Sequence, residues 1–184
     1  MSKILVAGNS EFGLAEQIKN VLVEHDVTFL SRATGYDLTK AEHQERFAIA
    51  SVDYDIVILC SALWKFNQTV LLDNVYKKIK SANKRSLIIC VGSTTDRTSK
   101  ATEWLYNAEK KALRDYCNSL GLMGVWNKGP RVTYISFGSL SNVQHKHPDR
   151  TCMPIEKAAE YIRWIIEQPE GLHVNELSVD PLQS

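Results

Sequence analysis

The chain has 184 residues, 44% of them apolar and 23% charged, which suits one globular domain with an ordinary hydrophobic core. Basic and acidic residues nearly cancel to a formal charge of +1, so nothing in the charge calls for nucleic acid or a membrane surface as partner. No apolar run approaches the roughly 18–20 residues needed to span a bilayer, and "MSKILVAG" enters a strand pattern without a cleavable leader.

In chain order, "KILVAG" (3–8) reads as a buried strand ending at a glycine. Residues 13–24 carry Leu14, Ile18, Val21 and Leu22 on one face, the stripe of an amphipathic helix. "VTFLSR" (27–32) predicts a second strand and "GYDLT" (35–39) a short third one. A helix near 40–50, the strand "YDIVILC" (54–60), a helix near 67–82 and the strand "RSLIICVGS" (85–93) follow. A long helix near 100–120, the strand "RVTYISFG" (131–138), a helix at 155–167 and the strand "NELSVD" (175–180) complete the chain. Cys60 and Cys90 lie inside apolar runs, and neither they nor Cys117 and Cys152 form a C-x-x-C pair, so the cysteines read as reduced thiols of a cytoplasmic protein.

Strand and helix alternate throughout, and the runs at 54–60 and 85–93 are apolar on both faces. Such strands belong to a parallel sheet covered on both sides. The expectation is an α/β, doubly wound, mostly parallel Rossmann-like sheet of about seven strands, forming a single domain over 1–184. Its ligand crevice should lie at the carboxyl ends of the strands.

"AGNSEFGLA" (7–15) stands where such folds turn from the first strand into a helix whose N-terminus faces a pyrophosphate. Gly8 and Gly13 allow a close approach, and Asn9 and Ser10 can make polar contacts. Glu11 sits in mid-loop, where a carboxylate repels a phosphate unless it turns outward. Arg32, at the end of the second strand, suits a 2′-phosphate through bidentate hydrogen bonds or is a solvated surface arginine. Asp37 could hold an adenine amino group or cap the next helix.

Tyr106 and Lys110 in "YNAEKKAL" are spaced i, i+4 and share one helix face, with Ser93 closing a central strand upstream. A free phenol has a pKa of about 10. An ammonium about 4 Å away at an effective dielectric of 20 is worth roughly 4 kcal/mol, enough to lower that value by a few units. Tyr106 could then exchange a proton with a carbonyl or alcohol oxygen held by Ser93, with hydride passing to or from a nicotinamide.

These residues resemble the short-chain dehydrogenase/reductase family, and the resemblance covers nearly the whole chain. "YNAEKKALRDYCNSL" is similar to the family's Y-x-x-x-K helix, with Ser93 at its usual distance upstream. The resemblance implies a proton-relay role for Asn67 and a place beside the cofactor for Cys60, Ser61 and Ala62, where the family has N-A-G. It implies that Phe137 and Gly138 open the loop receiving the nicotinamide amide, and that Lys110 also binds the nicotinamide ribose. The expected activity is that of an oxidoreductase acting on a small carbonyl or alcohol, with NADP(H) preferred to NAD(H). A homodimer or homotetramer through the helices at 67–82 and 100–120 is also implied.

His145, His147, Asp149 and Cys152 cluster in "NVQHKHPDRTC", a spacing that can bind zinc; the segment reads as a loop before the last long helix, which the resemblance implies is a substrate flap that needs no metal, with one histidine facing the substrate or all of them solvated. Trp64 and Phe66 could line the pocket mouth or pack in the core. The rival reading is a nucleotide-binding sensor or scaffold that kept the fold and weakened its catalysis. Isomerase or dehydratase chemistry in the same pocket is a third.

Overall fold

Residues 1–97, 102–127 and 129–183 are described by the computed structural model. Among them the elements are β1 (Lys3–Ala7), α1 (Gly13–Val21), β2 (Asp26–Leu30), α2 (Ala41–Ser51), β3 (Ile56–Leu59) and α3 (Asn67–Ser81). They continue with β4 (Leu87–Ser93), α4 (Leu105–Asn127), β5 (Arg131–Phe137), α5 (Ile155–Ile166) and β6 (Glu176–Val179). The strands form one sheet in the order β2-β1-β3-β4-β5-β6, and each neighbouring pair is parallel.

Period-two alternation within buried strands divides the core into two layers. Leu5, Ala7, Val57, Leu59, Ile88, Cys90, Val132 and Tyr134 face α2, α3 and α4, meeting Phe47, Leu71, Leu72, Val75 and Leu113. The intervening residues Ile4, Val6, Ile56, Ile58, Ile89 and Ile135 face α1 and α5, meeting Ile18, Ala158, Ala159 and Ile162. A large apolar side chain buried on either face contributes about 1.5–3 kcal/mol, which is why both faces of these strands must be covered.

The chain runs outward from β1 to β2, then crosses to β3 on the other side of β1 and builds on to β6. The connection after β1 leads to α1 on one face, and that after β3 leads to α3 on the other. The two loops diverge, so a crevice opens at the carboxyl ends of these strands.

Among the described residues the sheet has six strands, where the sequence predicts about seven. Residues 35–39 form turns: Gly35 has φ of 84°, and Asp37 Oδ1 accepts hydrogen bonds from the Thr39 amide at 3.2 Å and hydroxyl at 2.7 Å. That local pairing takes the place of a ladder. The helix expected near 100–120 extends to Asn127, while part of its expected start lies outside the described residues. Gly121 and Gly124 lie within it and let α4 press on the backbone: a Cβ on Gly121 would stand 2.8 Å from Val132 O. No helix among the described residues is long and apolar enough to cross a membrane.

Candidate active site

A cavity of about 700 Å³ occupies the crevice, and Gly8, Asn9, Gly13, Arg32, Asp37, Cys60, Ser61, Ala62, Tyr106 and Lys110 all line it. The loop after β1, the end of β2, the end of β3 and α4 are therefore brought together. Gly8 is needed at the β1 exit, because a Cβ there would fall 2.8 Å from Ala15 Cβ and 2.9 Å from Cys60 Sγ.

Glu11 turns outward. Its carboxylate lies 3.6 Å from Lys19 Nζ and accepts from the Ser10 hydroxyl at 3.1 Å, with the side chain 74% exposed. Ser10 is thereby engaged with Glu11 and does not line the cavity. The amide of Glu11 donates to Asn9 Oδ1 at 3.0 Å, which shapes the turn ahead of α1.

At the far end of the cavity, Ser31, Arg32, Tyr36 and Asp37 form a polar rim. The Thr39 hydroxyl and amide hold the Asp37 carboxyl below its ordinary range. Asp37 does not cap α2, whose N-cap is Lys40. On the β3 side, Cys60 Sγ and Ser61 Oγ both donate to Ala7 O, at 3.3 and 2.8 Å. Burial pushes the Cys60 thiol up to about 12, so it stays protonated and structural.

Tyr106 and Lys110 share the cavity face of α4, as their spacing requires, and the Ser93 hydroxyl is near enough to the Tyr106 phenol to act on its ionisation. The phenol is nevertheless raised, not lowered: burial dominates, the Ser93 hydroxyl opposes it, and Glu109 and Asp96 add to the rise. The reason is geometric. Lys110 Nζ stands 5.2 Å from the centroid of the Tyr106 ring, over its face, and donates to Gln68 Oε1 at 2.5 Å. Burial lowers the lysine itself to about 8.

Asn67 does not reach Lys110. Its Nδ2 donates to Trp64 O at 2.6 Å, and its Oδ1 accepts from Gln44 Nε2 at 3.3 Å. The next residue, Gln68, makes the contact instead, because one step along a helix turns a side chain by about 100°. A sequence signal existed: Gln68 precedes Leu71, Leu72 and Val75 at i+3, i+4 and i+7, so it stands on the buried face. Phe137 and Gly138 are likewise taken from the cavity. Phe137 is core, paired with Val179, and the Gly138 amide donates to Val179 O at 2.9 Å. The loop reaches the cavity with Leu140 and Asn142.

Two further features were not legible beforehand. Lys65 and Phe66 have φ of 59° and 60°, consecutive left-handed residues without glycine, each costing about 1–2 kcal/mol. Glu109 Oε1 accepts the Lys65 amide at 2.6 Å and holds this turn. The turn sets the exposed Trp64 against the Tyr106 ring at 4.9 Å, while Trp104 flanks it at 4.8 Å. Behind Ser93, the buried Tyr134 hydroxyl donates to Asp96 Oδ2 at 2.7 Å across Gly92. A Cβ on Gly92 would overlap that hydroxyl. Gly92→Ala is therefore expected to cost about 3 kcal/mol through overpacking and loss of the buried hydrogen bond. A thermal melt should show this as a Tm lowered by about 10 °C.

Among the described residues no group of three His, Cys, Asp or Glu side chains could hold a metal ion. His145 lies on a short 3-10 helix at 141–146 that buries none of its residues, and His147 follows it.

Neither a protein-family model nor a curated protein sequence matches the chain significantly. Solved structures do match in three dimensions. A short-chain dehydrogenase from Burkholderia cenocepacia in complex with NADP superposes with a TM-score of 0.77 at 16% identity, over 96% of this chain and 87% of that one. Serine dehydrogenase from Escherichia coli gives 0.68 at 18% identity, over 96% of each chain. The NADP-bound structure of ElxO gives 0.74 at 12% identity, over 98% of each. The chain thus carries the fold of the short-chain dehydrogenases and reductases.

Proposed function

We propose that the chain is an NADP(H)-dependent oxidoreductase that reduces a small carbonyl compound, with Tyr106 as the proton donor. The observation that carries this reading is a single cavity that joins the glycine turn ahead of α1, the Arg32 rim and the Tyr106–Lys110 pair. A dinucleotide fits the residues present. Gly8 leaves room where a Cβ would collide, the first amides of α1 border the cavity, and Glu11 is turned away. Gly8, Asn9 and Gly13 would hold the pyrophosphate, Ser31 and Arg32 the 2′-phosphate, and Asp37 the adenine end. Cys60, Ser61 and Ala62 would form the wall beside the nicotinamide half. Similar structures hold NADP, and the arginine at the end of β2 agrees with that choice.

Bound there, the dinucleotide supplies hydride chemistry. The chain's own groups handle the oxygen and the proton. Ser93 orients the carbonyl oxygen, and Tyr106 Oη delivers its proton to that oxygen as the carbon gains hydride. A phenol held neutral by burial suits this direction, since it starts as an acid. Lys110 places positive charge by the tyrosinate that forms.

Exposed Val70 on α3 and Leu122, Met123 and Trp126 on α4 support association of two copies through these helices. The rival reading is a dinucleotide-binding sensor, and the outward-facing Glu11 gives it no support, since its carboxylate is turned from the place of the phosphates. The sensor reading predicts NADPH binding without turnover of any carbonyl in a broad panel.

A fluorescence titration tests the cofactor assignment. NADPH emission should rise on binding, NADH should bind about tenfold or more weakly, and Arg32→Ala should erase the difference by removing a charge-assisted hydrogen-bond donor worth roughly 1.5–3 kcal/mol. Binding of neither dinucleotide would overturn the reading.

A further inference from the structure

Gln68 is 3% exposed and has no freedom in how its amide points. Nε2 donates to Val91 O at 2.8 Å and to Leu59 O at 3.2 Å. These carbonyls belong to β4 and β3 where their shared ladder ends, at the pair Leu59–Cys90. Both N–H groups are thus spent on the sheet, and only Oε1 is left, directed at Lys110 Nζ 2.5 Å away. Lys110 is equally buried, at 3% exposed. A buried ammonium needs an acceptor, and a neutral amide oxygen provides one without adding a charge. A carboxylate at the same place would set one oxygen against the two strand carbonyls.

We propose that Gln68 is a positioning residue that anchors the Lys110 ammonium to the ends of β3 and β4 and so fixes where its charge sits beneath Tyr106. This inference rests on the reading of Tyr106 and Lys110 as the acid–base pair. It assigns to Gln68 the support that the sequence resemblance gave to Asn67, whose side chain is committed to Trp64 and Gln44. Other titratable groups face Lys110: Glu109 and Cys117 on α4, Cys90 on β4 and Asp96 beyond the end of β4. None of them accepts the hydrogen bond that Gln68 does.

The test uses the full chain carrying ¹³Cε-labelled lysine, with the Lys110 signal assigned by its loss in Lys110→Met. In the native protein the signal should titrate near pH 8. In Gln68→Met, similar in length but without an acceptor, the midpoint should fall by about one pH unit, since a hydrogen bond to a charged group favours the ionised form by roughly that much. Carbonyl turnover should fall about tenfold, and its alkaline limb should move with the lysine. An unmoved lysine midpoint in folded Gln68→Met overturns the proposal, even if activity changes. A shifted midpoint with no turnover by either protein leaves Gln68 in its role and removes the oxidoreductase reading instead. Should Gln68→Met fail to fold, the native protein still decides. The Gln68 side-chain amide signals should shift with the same midpoint as Lys110, and signals that stay flat from pH 7 to 10 overturn the proposal.

Discussion

Tyr106→Phe is expected to lower carbonyl reduction by about 10³-fold, within the range of general acid catalysis, while NADPH fluorescence titrations stay within a few-fold of the native protein. The substitution removes one oxygen and keeps the ring that packs between Trp64 and Trp104. The polar neighbour it loses, the Ser93 hydroxyl, is partly exposed and solvent can satisfy it, so the fold should not suffer. pH adds a second check. Burial raises the phenol above its ordinary value, so the neutral acid persists through neutral pH and reduction should be flat there. The rate should decline first as Lys110 loses its proton near pH 8 and again when pH passes the phenol's raised pKa, whereas alcohol oxidation, which needs the tyrosinate, should climb over the phenol's range. Reduction by Tyr106→Phe at the native rate would show that the proton comes from elsewhere.

Lys110→Met is expected to abolish turnover and to change how stability depends on pH. Burial lowers the lysine from 10.5 to about 8, so between these values the unfolded chain holds a proton that the folded chain does not. Stability attributable to this group must therefore rise with pH through that window, and the cost of burying the charge is fully present below pH 8. At 1.36 kcal/mol per unit, the native protein should gain about 2 kcal/mol between pH 7.5 and 10 relative to Lys110→Met. The comparison must be with the variant, because buried thiols and phenols titrate in the opposite sense at alkaline pH. Cys60, raised to about 12, loses stability there in both proteins. Chemical denaturation of the two proteins across this range reads the difference directly. Parallel pH profiles would mean that Lys110 is not buried as a charge, and the electrostatics of the site would need another account.

The two left-handed residues before α3 tie this electrostatic arrangement to the chain's shortness. From Cys60 to Asn67 there is room for only a tight turn, and Lys65 and Phe66 take φ near 60° to make it. Glu109, buried beside the site with Oε2 lacking a partner among the described residues, accepts the Lys65 amide and keeps the turn closed. Strain of this kind persists only where surrounding contacts hold it. Here it carries Trp64 onto Tyr106.

What the amino-acid order alone determined was whatever depends on near neighbours along the chain. Short apolar runs marked β1, β3 and β4, and the 3.6-residue stripe marked α1. Spacing of four put Tyr106 and Lys110 on one face, and the first glycine turn brought Gly8 and Gly13 to the crevice. Tertiary structure decided what depends on distant partners. Whether Asn67 or Gln68 meets Lys110 is set by how α3 rolls against β3 and β4, and pairing with Val179 draws Phe137 and Gly138 into the sheet. The pKa of Tyr106 goes up rather than down because burial and the direction of an ammonium are properties of packing. Local periodicity fixes which face a residue is on, but only the assembled core fixes what stands opposite it.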